Sequence, residues 1–218
     1  MTNFPLKKKV IEALLMGVTK SKDNFLSWTN DRLALPYAPL NHITIHVAQE
    51  LSQIDNAPEI FIDASVEDIL RCSLKKRSAY KKYMQKSFLS NGVFSITLDE
   101  RFAHKNDNDS VSRAIISIKS GVINAKLEYT NEIDRICKML DSSVLDDSSL
   151  DYGVFVFSST LSQQARKKLE NRIPQIIAKF DNIVKKHTNL KATFTGEKIV
   201  QCIDNGQWCV GCYIIERC

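Results

Sequence analysis

His42 and His46 stand four residues apart and Glu50 continues their line, a spacing that would let one helix face offer two imidazoles and a carboxylate to a cation. No third His or Cys lies nearby in sequence. The line also borders an apolar stripe, so an ordinary solvated helix face is the expected reading. Cys209 and Cys212 form a Cys-x-x-Cys, but residues three apart on a strand point to opposite faces. Only a bulge or turn at Gly211 would let both thiolates grip zinc, with Cys202 opposite Cys209 across a two-residue Asn205-Gly206 turn. Buried free thiols are the expected state. Arg71, Lys75, Lys76, Arg77, Lys82 and Lys86, joined by Lys81 and interleaved with Tyr80 and Tyr83, form the best candidate nucleic-acid surface. On a helix, Arg71, Lys75, Lys82 and Lys86 fall along one side and could track phosphates. The stretch from Asp99 to Ser110 holds Asp99, Glu100, Asp107 and Asp109, oxygen ligands without the spacing of a calcium loop.

These groups need elements to position them. Val10, Leu14 and Val18, with Ile11 and Leu15 beside them, predict a helix over residues 6–19. Leu40, Ile43, Val47, Leu51 and Ile54 predict a second, opened by Pro36 and Pro39. Glu59–Asp63 reads as a short strand, and the segment from Ser65 to Lys86 as helical in its first half. Gly92–Leu98 and Arg113–Lys119 are rich in β-branched residues and predict neighbouring antiparallel strands. A helix is expected over 127–140. Tyr152–Phe157 is nearly all apolar and predicts a strand buried on both faces. Thr160 and Gln163 suggest a capping box for a long helix ending near Val184, kinked or split at Pro174. A strand at 191–195 and a hairpin of 198–204 with 207–217 close the chain.

Composition excludes several classes. The 218 residues are 44% hydrophobic and 25% charged, which suits one globular domain rather than a fibrous or low-complexity chain. Seven glycines leave no phosphate-cradling loop or dinucleotide fingerprint, and no Ser-His-Asp order is present. No apolar run approaches the roughly 18 residues of a membrane span. Lys7, Lys8 and Lys9 before Val10–Met16 mimic a signal peptide, yet no small-residue cleavage site follows, so an amphipathic helix is expected. Six scattered cysteines point to a reduced, cytoplasmic protein with free thiols. The formal charge of +5 permits nucleic acid as a partner without requiring it.

From Leu40 to Phe157 the expected order is helix, three strands, helix, strand. That order resembles the core of the PD-(D/E)XK, or restriction-endonuclease-like, nuclease superfamily. Local sequence adds to the likeness: APLNHITIHVAQEL at 38–51, SITL at 95–98, RAIISIKSG at 113–121 and EIDRICKML at 132–140 resemble, in order and spacing, a group of uncharacterised bacterial proteins with that fold. The resemblance implies an α/β fold whose mixed sheet is flanked by helices. It divides the single domain 1–218 into a core at 38–158, an N-terminal helical extension at 1–37, and a long helix with C-terminal strands at 159–218.

It also implies a chemistry. Such nucleases use an acid from the first helix, an Asp on the second strand and Glu-x-Lys on the third to hold magnesium against a phosphate. The matching positions here are Leu40, Ser95, Ser117 and Lys119, so only the lysine survives. Alternation still sets Ser117 and Lys119 on one strand face. The expectation is a catalytically inactive member without metal or cofactor, an accessory subunit that binds nucleic acid or a protein in bacterial or phage DNA processing or defence. Two alternatives stay open: a magnesium-dependent nuclease with relocated acids at Asp99 and Glu100, and a protein-interaction module that binds no nucleic acid.

Overall fold

The computed structural model describes residues 4–74, 81, 83, 92–100, 110–141, 148–197, 199–201 and 206–218. Helix α1 (Lys7–Trp28) outruns its expected end because Ser21 and Phe25 continue the buried line of Leu14 and Val18. The polar Ser21 hid that continuation in the sequence. Helix α2 (Leu40–Ser52) buries Ile43, Thr44, Val47 and Leu51. The two helices meet where Gly17 lies against the backbone of Val47, a closeness that a side chain would prevent.

Strand β1 (Glu59–Ser65) leads directly into helix α3 (Val66–Ser73), whose N-terminus is capped by Ser65 accepting from the Asp68 amide. Strands β2 (Val93–Glu100) and β3 (Val111–Lys119) pair antiparallel, as their composition predicts. Leu98 pairs with Ala114 but Asp99 with Ser112, so Arg113 is the extra residue of a β-bulge. Helix α4 (Leu127–Leu140) carries the chain to β4 (Tyr152–Leu161), which lies parallel to β3. Helix α5 (Leu169–Val184), β5 (Leu190–Gly196), β6 (Val200–Gln201) and β7 (Gln207–Arg217) complete the described chain. The sheet runs β1-β2-β3-β4-β7-β5, with β6 also on β7. The architecture is therefore mixed α/β, a mixed sheet with helices on both faces.

Alternation along the strands sorts the core into two clusters. Ile116, Ile118, Val154, Val156, Val210 and Cys212 pack with α1 and α2. Ile115, Phe155, Phe157, Cys209, Tyr213 and Ile215 pack with α3, α4 and α5. Because both faces of β4 are covered, its apolar run needs no polar alternation.

Three expectations fail at the C-terminal side. Thr160 does not cap a helix: β4 continues through it to Leu161, held by a ten-residue ladder against β7. The start of α5 is satisfied by Gln207 of β7, whose Oε1 accepts from the Leu169 amide at 2.8 Å while its Nε2 donates to Glu170 at 2.9 Å. Pro174 sits in the second turn of α5, which continues through it unbroken. The hairpin register also differs. Val200 faces Trp208 and Gln201 faces Gln207, not the register that a two-residue Asn205-Gly206 turn would set, and Cys209 pairs with Ser159 of β4. Cys202 and Asn205 lie outside the described residues. No helix among the described residues is long and apolar enough to cross a membrane.

Candidate functional site

The end of β3 presents Ser117 and Lys119 on the sheet face that α4 covers. Helix α4 aims its first turns there because Tyr129, Ile133, Ile136 and Cys137 bury their side chains in the same cluster. The turn that brings Ile133 and Ile136 inward also brings Glu132 and Arg135 to the sheet, three residues apart and adjacent on the helix surface. Ser117 Oγ donates to Glu132 Oε1, and Arg135 Nη2 donates to the same oxygen. The guanidinium also donates to the Val93 carbonyl at 2.9 Å and lies 4.0 Å from the centre of the Phe94 ring. Both members of the Glu132–Arg135 pair are 14% exposed. Lys119 is half-buried, and among the described residues its side chain has no hydrogen bond or ion pair. A groove of about 420 Å³ opens beside this cluster, lined by Gly92, Val93, Asn131, Glu132, Asp134, Arg135 and Lys138.

Ser117 and Lys119 thus share a face as expected, and Ser95 lies beside them across the β2–β3 ladder, bonded to the amide of Ile118, while Leu40 does not join them. The β2–β3 ladder ends near Ile96, and Ser95 Oγ accepts the Ile118 amide at 3.0 Å. Its hydroxyl is spent inside the sheet in place of a backbone carbonyl. Leu40 opens α2, whose buried residues pack on the opposite face. Glu132 and Arg135 were missing from the sequence reading. Their signal was the helix period: with Ile133 and Ile136 inward, 132 and 135 flank the same seam.

Asp99 and Glu100, the relocated-acid candidates, are not brought together. Glu100 accepts two hydrogen bonds from Arg113, at 2.8 and 2.6 Å, and is committed to the bulge. Asp99 is 2% exposed in a second cavity, beside α3. Burial pushes its carboxyl above the ordinary aspartate range, against the downward pull of the Ser112 and Ser110 hydroxyls. Asp107 and Asp109 lie outside the described residues, as do Lys75, Lys76, Arg77, Lys82 and Lys86 of the basic segment. Arg71 is described and exposed, 3.9 Å from Asp68.

The histidine line is a helix seam. His42 Nε2 donates to the Ser21 carbonyl at 3.0 Å, and His46 Nε2 meets Asn24 Nδ2 at 3.3 Å. Glu50 binds Lys20 at 2.7 Å. Burial, with His42 next to it, pushes His46 below the ordinary histidine value. Every member of the line is engaged by α1. Cys209 and Cys212 fall in opposite clusters, as alternation requires, and burial raises the Cys209 thiol to about 11. The five described cysteines are free.

The arrangement is a poor fit for magnesium, which is held by one or two free carboxylates beside waters and substrate phosphates. The Ser117 site offers one carboxylate, already bound by a guanidinium, and no described group of three or more His, Cys, Asp or Glu is placed to hold a metal. Compared with known proteins, the chain matches no family model, no curated protein and no solved structure.

Proposed function

We propose that this chain is a non-catalytic protein on a restriction-endonuclease-like scaffold that binds nucleic acid as an accessory subunit. Support for the scaffold comes from β1 to β4, adjacent in sequence order and paired antiparallel, antiparallel and parallel, with α4 between β3 and β4. Helix α3, set between β1 and β2, is an addition to that order.

The observation that carries the non-catalytic reading is the Arg135 guanidinium on Glu132 against Ser117. In the nucleases this chain resembles, the corresponding strand position carries an acid that holds a divalent ion. Here the acid comes from the helix, and a fixed side-chain cation balances it. A second cation in contact with Glu132 would have to overcome like-charge repulsion from Arg135 in a partly buried site. The nucleic-acid reading rests on the basic residues from Arg71 to Lys86 and the net charge of +5.

The test is incubation of the full chain with single- and double-stranded DNA and RNA in magnesium or manganese, beside anisotropy measurements of binding over a salt series. The expected result is no cleavage, with binding that weakens steeply as salt rises. Cleavage abolished by both Lys119→Ala and Glu132→Gln would overturn the non-catalytic reading in favour of a nuclease keyed to the relocated Glu132. Absence of salt-dependent binding to every nucleic acid would overturn the choice of partner and leave a protein-interaction scaffold.

A further inference from the structure

On the same sheet face, a cavity of about 370 Å³ lies between β1, β2 and α3. Its described lining is Phe61, Ile62, Ala64, Ile69 and Cys72 on the apolar side, and Asp63, Asp68, Thr97, Asp99 and Ser112 on the polar side. It holds three carboxylates, of which Asp68 lies 3.9 Å from the exposed Arg71, and its described lining residues include no Lys, Arg or His. A lining of one charge sign with low-dielectric walls concentrates counter-charge.

Two polar side chains of this lining are buried without full hydrogen bonding. Thr97 is 2% exposed and its hydroxyl has no partner among the described residues. Asp99, equally buried, accepts from Ser110 through Oδ2 at 3.1 Å, with the Ser112 hydroxyl also against the carboxylate, while Oδ1 has no hydrogen-bond partner among the described residues. A buried acceptor left unpaired loses its hydration with nothing in return, so such groups usually have a partner to meet. The backbone is irregular on both walls: Asp63 of β1 has a φ of 54°, and the β2–β3 bulge falls between Leu98 and Asp99. Irregular backbone of this kind recurs where a strand re-aims a side chain toward a ligand.

We propose that this cavity binds a small organic cation, an alkylammonium or alkylguanidinium, whose N–H groups meet the Asp99 carboxylate and the Thr97 hydroxyl while its carbon chain lies on Phe61, Ile62 and Ile69. An organic cation suits the lining better than a metal ion. Half of the wall is hydrocarbon, and no described group of three metal-ligating side chains converges there. The exposed carboxylates of Asp63 and Asp68 favour entry of positive charge. The volume lies within the range of small-molecule pockets. This site is separate from the Ser117–Glu132 cluster and stands whether or not the chain binds nucleic acid.

The test is titration of the full chain with putrescine and with agmatine, followed by calorimetry and by amide chemical shifts, with 1,4-butanediol and magnesium chloride as comparison ligands. Saturable binding of either amine, with shifts centred on Ile62, Thr97 and Asp99 and at least about tenfold weaker in Asp99→Asn, is the expected result. Should Asp99→Asn fail to fold, Asp63→Asn and Asp68→Asn, on exposed positions, read the same charge dependence, each weakening binding about threefold. Four outcomes would overturn the proposal: no saturation by about 10 mM of either amine, affinity unchanged in the folded variants, equal binding of the uncharged diol, or the same shifts produced by magnesium.

Discussion

Arg135→Ala would remove a guanidinium that bonds Glu132, donates to the Val93 carbonyl at 2.9 Å and covers the Phe94 ring at 4.0 Å. Hydrogen bonds to charged groups are worth about 1.5–3 kcal/mol, and a partly buried cation–π contact adds about 0.5–1 kcal/mol. Glu132, only 14% exposed, would keep the Ser117 hydroxyl as its sole described donor. The expected loss is about 3 kcal/mol, which for a chain of this length lowers Tm by about 6–12 °C. Glu132→Gln preserves shape and the contact with Ser117, so it should cost less, about 1.5 kcal/mol. Urea melts of both variants and of the double variant close a cycle, whose expected coupling energy is about 1–2 kcal/mol. A coupling below about 0.5 kcal/mol, the ordinary limit of additivity, would mean that the carboxylate and guanidinium do not meet, and the argument against magnesium would go with it.

Gly17→Ala places a Cβ 2.5 Å from Val47 Cα and 2.9 Å from its amide nitrogen, contacts that only separation of α1 from α2 can relieve; thermal melts should show a loss of about 3 kcal/mol. Among the five described cysteines, neutral-pH thiol labelling with mass mapping should modify the exposed Cys218 first and half-buried Cys72 more slowly. Cys137, raised to about 12 by burial, and buried Cys209 and Cys212 should react only on unfolding. Asp99 has a folded pKa above its unfolded value, so the native state holds its proton more tightly and this residue's contribution to stability falls as pH rises from about 4 through the raised value. Asp99→Asn should therefore gain stability relative to the natural chain between about pH 4 and 7, measured as the difference in Tm at the two ends; a constant difference would refute the burial of that carboxyl.

Much of the fold was legible because it rests on local periods. The helix over 127–140 follows from the spacing of Ile133, Ile136 and Leu140, and the β2–β3 pair from β-branched runs that bracket a polar loop. Two-state alternation separated Cys209 from Cys212 and aligned Ser117 with Lys119 before any contact was known. Arg71 was legible as an exposed base, although most of its basic segment lies outside the described residues.

The sequence by itself determined the order of elements, their inward faces and the absence of a carboxylate at Leu40, Ser95 and Ser117, since residue type and period are local properties. Tertiary structure alone decided where those faces meet. Thr160 became strand because the ladder with β7 outweighed a local cap, and Gln207 of β7, paired with Leu161, bonded the start of α5 instead. Ser95 turned to the Ile118 amide because the ladder ends beside it. Glu132 and Arg135 reached Ser117 because α4 packs on β4, the neighbour of β3, and Thr97 and Asp99 face a cavity because α3 stands over β1 and β2. Each is a contact between residues distant along the chain, which periodicity cannot encode and packing must choose.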